Sequence, residues 1–294
     1  ERETATRRAL VRARAIAAAC AVLAVLAAAS AVFGYVATER AKLADAQAQQ
    51  ARGDAEKLVG FLIEDFYEEL EPTGRLETMG KLAHQAVEYF EGLPAGLMTP
   101  QSNVYRGMAL IRQGGVLLAG DDVEAGLRHI AQARETFEKL HAGGDTSEPI
   151  VYGLALSLIT PFSSGSLGGP GSGLDDFQKA ADLLRPLVYG PGGSRRVKLT
   201  YADLLNVVSQ QKQNSEDGVA VCEESRKILA GLGALDLSDL TATSHYADVA
   251  DTQVRLLTRL RRFDEAERLE QEVYDLVEKA LTKRPGDIRS MGNR

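Results

Sequence analysis

Three arginines near the end of the chain are the clearest candidates for binding chemistry. Arg255, Arg259 and Arg262 recur at intervals of four and three residues, so a helix would carry them on one face. Guanidinium groups form paired hydrogen bonds with carboxylates, and such a face could therefore receive an acidic peptide. Asp251, four residues before Arg255, offers a partner within the same helix, and a merely solvated face is the alternative. We predict a partner-binding site at these three arginines.

Residue types that hold metals or phosphates occur without the spacing that such sites need. The glycine-rich run at residues 163–173 follows a predicted helix and lacks the Gly-Lys-Ser/Thr of a phosphate-binding loop, so it is interpreted as a flexible insertion. The histidines are far apart in sequence and show no paired-ligand pattern, so no metal site is predicted. They are His84, His129, His141 and His245. The sequence predicts no cofactor.

The composition is that of a folded chain with an acidic body. The 294 residues are 45% hydrophobic and 26% charged, and the two cysteines are too few for a disulfide framework or a zinc cluster. Five arginines and two glutamates lie within residues 1–14, which leaves a net charge of about −10 on the remainder. That charge argues against nucleic acid as a partner, because the phosphate backbone is itself negative.

Residues 15–38 form an uncharged run that predicts a transmembrane helix. As a helix the 24 residues would reach about 36 Å, against a hydrocarbon core of roughly 30 Å. Eleven of them are alanine, which is only marginally apolar, so insertion would depend on the leucine, isoleucine, valine and phenylalanine residues. A buried core helix and a signal peptide cleaved after the Ala29-Ser30-Ala31 site are the alternatives.

The basic residues before this run predict an orientation. Residues 1–14 form a basic flank, and by the positive-inside rule its arginines favour a cytoplasmic N-terminus. The four nearest to the run are Arg7, Arg8, Arg12 and Arg14. The prediction is a single-pass protein of the bacterial inner (plasma) membrane, with the domain after the run outside the cytoplasm.

The remaining sequence predicts helices throughout. Residues 39–57 are rich in alanine, glutamine and charge and should form a helical stalk. From residue 58 apolar residues recur at helical spacing, first on a stripe of Leu58, Leu62 and Phe66, and no segment alternates like a strand. Residues 58–294 divide into five helical hairpins, each half apolar. Such hairpins bury their apolar surface against neighbours, so we predict an all-α solenoid, with a compact bundle as the alternative.

One short pattern raises an enzymatic alternative. Helical-solenoid lytic transglycosylases resemble the predicted architecture and use a glutamate followed by serine as general acid, as in Glu223-Glu224-Ser225. None of that family's sugar-site motifs surrounds this pattern in the sequence, and the G-x-S-x-G signature of serine hydrolases does not occur either. The chain is therefore predicted not to be an enzyme.

Two stretches resemble tetratricopeptide repeats. Arg-Phe-Asp-Glu-Ala at residues 262–266, followed by Pro285, resembles the second helix of such a repeat, where a small alanine permits close packing. Residues 58–90, following an alanine-rich helix, resemble the juxtamembrane start of the tetratricopeptide tails of large bacterial signalling proteins, and residues 70–76 are the most specific part. There the tail follows a Toll/interleukin-1 receptor, caspase-like, kinase or STAND ATPase domain. The resemblance implies a sensing or assembly module and carries over no catalytic residue.

Two functional hypotheses follow. In the first, the array is a membrane-anchored protein-interaction or sensing module. It would couple the binding of a protein, a peptide or another copy to an effector domain upstream of Glu1, since both ends of the sequence look cut. In the second, the array is a structural periplasmic scaffold without a regulated ligand. The nature of the upstream sequence distinguishes them.

Overall fold

The chain forms helices in two compact units. The computed structural model describes residues 2–67, 75–120, 122–163, 173–212 and 216–283, and the side chains of residues 2–29, 65, 76, 95 and 163 lie outside that description. The two units are Glu1–Leu58 and Val59–Arg294. No strand occurs within these described ranges, which confirms the all-α prediction for them. The resemblance at residues 70–76 falls mostly outside them.

Ten α-helices account for most of the described residues. They are α1 (Arg2–Phe61), α2 (Leu76–Glu91), α3 (Pro100–Ala119), α4 (Val123–Ala142), α5 (Glu148–Ser163), α6 (Leu174–Tyr189), α7 (Arg195–Gln211), α8 (Glu216–Gly231), α9 (Leu240–Arg259) and α10 (Phe263–Lys283). A π-helical turn, Leu62–Phe66, continues α1, and a short 3-10 turn, Ala95–Leu97, precedes α3. The predicted stalk, residues 39–57, lies within α1.

The helices of the second unit pack in chain order as hairpins that repeat. α3 packs on α4, α5 on α6, α7 on α8, and α9 on α10. The first helices of these pairs begin at Pro100, Glu148, Arg195 and Leu240, which are 45 to 48 residues apart. Such an order is consistent with an α-solenoid. The period is longer than the 34 residues of a standard tetratricopeptide repeat, because these helices have 16 to 21 residues.

Local signals account for where the helices begin. Thr99 and Ser102 form a reciprocal capping box at the start of α3, and Pro100 occupies the first turn. Three further helices begin with a side-chain oxygen that accepts a backbone N–H three residues later, which satisfies a donor that the helix itself cannot. The capping residues are Asp122 for α4, Ser194 for α7 and Asp239 for α9.

Helix α5 is apolar on every side and lies inside the array. No charged residue follows Glu148 within the helix, and every residue from Ile150 to Leu158 is buried. A helix without a polar face cannot lie at the surface, so its neighbours must cover it. One apolar cluster does so, drawing on α2, α3, α4, α6, α7 and Ile63. A second cluster joins α7 to α8, α9 and α10.

The chain just before α2 packs through a different stripe from the one predicted. Leu58 is 60% exposed and Leu62 and Phe66 are half-buried, whereas Ile63 is fully buried and Tyr67 is 5% exposed. Gly60 explains the difference: a Cβ there would lie 2.4 Å from the ring of Tyr105, so glycine lets this turn approach α3 closely. The close approach fixes which face turns inward. We call residues 59–67 the inner segment.

The predicted transmembrane helix and the single-pass inner-membrane localisation are contradicted. Across the residues that the structure describes, no helix is both long and apolar enough to cross a membrane. In α1 the uncharged run with described side chains, residues 30–38, spans about 14 Å, roughly half of what a bilayer core requires. The side chains of residues 15–29 lie outside the description, and most of them are alanine, which is only marginally apolar. The predicted orientation of the repeat domain fails with the span on which it depended.

Phe137 of α4 fills a notch between α3 and α5 that two glycines make possible. Its ring is fully buried, and a Cβ at Gly107 of α3 would lie 2.7 Å from it. A Cβ at Gly153 of α5 would lie only 2.2 Å from the same ring. Contacts this short force side chains or backbone to shift, so α5 can lie against α4 only while residue 153 has no side chain.

Gly153→Ala should therefore destabilise the second unit by about 1–3 kcal/mol through overpacking against Phe137. Urea unfolding followed by circular dichroism measures the loss. The matched control is Gly115→Ala in α3, where the nearest atom to the new methyl group is a Thr160 methyl carbon at 3.5 Å. That variant should keep or gain up to about 1 kcal/mol, because alanine favours a helix over glycine. Equal stability of the two variants would show that Phe137 is not held in this notch.

Candidate partner-binding surface

The solvent-facing side of α9 is a narrow stripe of polar and charged side chains. Helix α9 is covered on its remaining faces by α7, α8 and α10. Its exposed residues recur every three or four positions, so they share one face. They are Asp248, Asp251, Arg255, Thr258 and Arg259. Acidic residues occupy the first half of the stripe and basic residues the second.

A matching stripe on α7 lies beside it. Asp203 of α7 is half exposed, and its Oδ1 lies 2.6 Å from Nδ1 of His245 on α9. Because His245 precedes Asp248 by one helical turn, this contact places the two stripes side by side. Asn206, one turn after Asp203, is half-buried and its Oδ1 has no hydrogen-bond partner among the described residues. We call the surface formed by Asp203, Asn206, His245, Asp248, Asp251 and Arg255 the α7–α9 face.

The structure places Arg255 on this face and Arg259 at the end of the same exposed stripe of α9. Arg255 pairs with Asp251 one turn earlier and donates to Thr252 Oγ1 at 3.0 Å. Arg259 is exposed at the end of α9. The intrahelical partner that the sequence suggested for Arg255 is thus the one it takes, while the proposed role of the arginines in binding stays a prediction.

Arg262 lies apart from the other two, in the turn between α9 and α10. It donates to Glu216 of α8 at 2.5 Å and to Glu265 at 2.6 Å. The hydrogen bonds with Glu265, with the charge of Glu216, raise the pKa of the Arg262 guanidinium although partial burial opposes them. Sequence spacing missed this because α9 ends at Arg259, so residue 262 is no longer in the same helical register.

On the hairpins before α7, the corresponding face is occupied by the inner segment. Arg196 of α7 donates to Glu64 at 2.7 Å and to Glu148 at 3.4 Å, and its guanidinium lies 4.9 Å from the centre of the Tyr152 ring. Burial by itself lowers the pKa of Arg196, but Glu64, Tyr152 and Glu148 raise it by favouring the charged form. This cluster links the inner segment to α5 and α7.

Glu224, the glutamate considered as a general acid, forms hydrogen bonds with two neighbouring helices. Glu224 of α8 accepts hydrogen bonds from the hydroxyls of Tyr189 at 2.6 Å and Tyr201 at 3.1 Å. Burial, followed by the neighbouring Glu224 carboxylate, raises the pKa of Tyr189 to about 12 and also raises that of Tyr201. Both phenols therefore stay protonated donors at neutral pH, and Glu224 joins α6, α7 and α8.

The other residue types singled out by the sequence are dispersed. His84 contacts Gln113, and His129 contacts the Ala125 carbonyl. Among the described residues, no three His, Cys, Asp or Glu side chains are close enough to hold a metal ion. Most of the glycine-rich run, residues 164–172, lies outside the description.

A cleft of about 480 Å³ opens beside the start of α9. Its two cationic side chains already have partners: Arg195 pairs with Asp239 through bonds of 2.5 and 2.8 Å, and Lys283 donates to the Leu237 carbonyl at 2.7 Å. Each bond joins residues from successive hairpins. The cleft is therefore lined by groups that hold the array together.

Comparison with known proteins yields no match, whether with protein-family models, curated proteins or solved structures. The function must therefore be argued from geometry and charge. The Asp203–His245 contact and the Arg196 cluster were missed by sequence analysis, because each joins residues at least 42 positions apart. No local signal marks such pairs before the packing of the hairpins is known.

The Arg195–Asp239 pair predicts a specific loss of stability in acid. The hydrogen bond from Arg195 holds the pKa of Asp239 below its ordinary value of 3.8. Burial opposes this effect, and backbone N–H groups of α9 add to it. A carboxyl group whose pKa is lower in the folded state than in the unfolded state stabilises the fold at pH values above its unfolded-state pKa. This stabilisation is lost as the pH falls through its folded-state pKa. At neutral pH the free energy of unfolding of the wild type should thus exceed that of Asp239→Asn by about 0.5–1 kcal/mol, and this difference should shrink below pH ~4.

Urea unfolding of both proteins between pH 7 and pH 3 measures that difference, since asparagine retains the helix cap but not the charge. Asp275→Asn is the control, because that carboxylate is exposed on α10 and accepts a hydrogen bond from Gln271 one turn earlier. A difference for Asp239→Asn that stays constant down to pH 3 would refute the linkage.

Proposed function

We propose that this chain is a protein-interaction module whose α7–α9 face binds a segment of a partner protein. The observation that carries the proposal is the pairing of Asp203 with His245, which sets the exposed stripe of α9 beside the partly exposed Asp203 and Asn206 of α7. These residues lie on the sides of α7 and α9 that no second helix of a hairpin covers. A shallow surface between two rigid helices holds its side chains in place before a partner arrives, which lowers the cost of binding.

The charges of the face favour a partner segment of matching polarity. Asp203, Asp248 and Asp251 gather at one end, whereas Arg255 and Arg259 follow at the other. A segment with basic residues followed by acidic residues would meet complementary charge along its length.

The repeated hairpins are the wider basis for this function. Arrays of helical hairpins resemble tetratricopeptide modules. The small Ala266 is 6% exposed, which supports the alignment of α10 with the second helix of such a repeat. As in the signalling proteins that the sequence resembles, the module would report partner binding to an effector domain elsewhere in the same protein. That coupling is part of the proposal and rests on the resemblance.

Site-specific photo-cross-linking tests the binding face. A benzophenone amino acid replaces Asp248 or Asp251 in one set of chains, and Glu267 or Glu270 on the exposed side of α10 in the control set. Irradiation in cells that express the protein should give a discrete adduct, identified by mass spectrometry, from the α9 positions at least fivefold more strongly than from α10. In a second step, Asp203→Lys should weaken capture of the purified partner, because it reverses a charge on the face.

The same adducts at the same yield from both sets would exclude the α7–α9 face as the binding surface. No adduct at any position would favour a scaffold without a ligand on this face.

A further inference from the structure

The inner segment, residues 59–67, occupies a slot whose walls belong to other hairpins. Its Gly60 lies against Tyr105 of α3, and Ile63 is fully buried in the cluster that surrounds α5. Glu64 reaches across to Arg196 of α7. The segment thus contacts the hairpin next to it through apolar groups and a hairpin two further along through an ion pair.

The groups that contact the segment are also held by contacts outside it. Arg196 is positioned independently by Glu148 at 3.4 Å and by the Tyr152 ring at 4.9 Å, and Glu148 is fixed in turn by the Ser194 N–H at 3.1 Å. The guanidinium is therefore prepared to receive a carboxylate, and its bond to Glu64 is the shortest it makes in the cluster. Near the other end of the segment, Arg112 of α3 lies 4.5 Å from the centre of the Tyr67 ring and receives an aromatic side chain.

The segment itself is held along one narrow stripe. Gly60, Ile63 and Tyr67 face inward, whereas Phe61 is 51% exposed and Leu62 and Phe66 are half-buried. Residues 62–66 form the π-helical turn, a geometry that is rare and occurs frequently at functional sites. Val59 is also the first residue of the second compact unit, so the segment begins where that unit begins. The segment has fewer buried residues than α5, and elements with few buried contacts can open locally while the rest of a domain stays folded.

We propose that the inner segment is an internal ligand in an exchangeable helix-binding slot. The partner that fits this slot is an amphipathic helix with a small residue at the first position and an isoleucine-sized residue three positions later. The next residue is a carboxylate for Arg196, and an aromatic ring four positions after the isoleucine faces Arg112. The carboxylate and the cation provide charge complementarity, and the apolar walls around Ile63 provide burial. This slot is distinct from the α7–α9 face, so either surface can function without the other.

Peptide binding tests the slot with the natural occupant as probe. The probe is a fluorescein-labelled peptide of residues 55–67, and a second peptide carries Glu64→Arg. In the wild-type chain the slot is filled from within, at an effective concentration of the order of millimolar or higher, so binding should be weak. The Glu64→Arg chain places two cations together, which should release its own segment. Fluorescence anisotropy should then show binding of the wild-type peptide at least tenfold tighter than to the wild-type chain.

A charge swap and a matched control make the result specific. The Arg196→Glu chain should invert the preference and bind the Glu64→Arg peptide more tightly than the wild-type peptide. Glu138→Arg, at an exposed position on α4, should behave as wild type. If no chain that keeps its helical circular dichroism discriminates between the two peptides, the proposal is wrong.

Hydrogen exchange in the unmodified chain supplies a second test that needs no variant. If the segment opens on its own, amides of residues 59–67 should exchange at least tenfold faster than those of residues 150–158 in α5. Exchange of the two stretches at one common rate would mean that the segment is an integral part of the core, and would overturn the proposal whatever the peptides do.

Discussion

The fold of the second unit depends on the burial of α5. A helix that is apolar on all sides has no favourable position at a surface, so the surrounding helices must enclose it. The enclosure explains why the helices from α2 to α7 share one apolar cluster instead of leaving an apolar surface exposed. It also explains the glycine at position 153, since α5 can lie flush against Phe137 only without a side chain there.

Polar contacts between hairpins fix the register in which the apolar surfaces pack. Glu148 with Ser194, Glu216 with Arg262, Arg226 with Glu272 and Leu237 with Lys283 all join residues 46 positions apart. Apolar packing is non-directional and tolerates sliding, whereas hydrogen bonds fix register. The recurrence of one separation shows that successive hairpins are related by nearly the same displacement, which is the physical meaning of a repeat.

The two surfaces considered for binding differ because the apolar cluster around α5 ends at α7, where a second cluster begins. Residues 59–67 pack against the apolar cluster around α5, and the ion pair of Glu64 with Arg196 joins them to α7. Beyond that point, α9 exposes polar and charged residues on the side away from the second cluster, and Asp203 of α7 is partly exposed beside them. The array thus carries exposed charged residues on α9 and an apolar slot that is filled by residues 59–67.

The sequence by itself determined the helical character and the hairpin order of the described residues. Both follow from local properties, namely the 3.6-residue period of apolar positions and the punctuation by capping residues, glycine and proline. The uncharged run at residues 15–38 shows the limit of such reasoning, because alanine supplies length and helix propensity but little apolarity. The length of the run, its lack of charge and its few large apolar residues led to a membrane prediction that the described helices contradict.

Only the tertiary structure decided which stripe of the inner segment faces inward, which arginines share a surface, and which sides of the first helices of the hairpins are exposed. Leu58, Leu62 and Phe66 fit a helical period as well as Gly60, Ile63 and Tyr67 do, and the close approach to Tyr105 selects the second set. Likewise, Arg262 leaves the face of Arg255 because α9 ends before it and Glu216, from another hairpin, binds it. These outcomes depend on contacts between residues far apart in sequence, and the free energy of such contacts is not encoded in any local pattern.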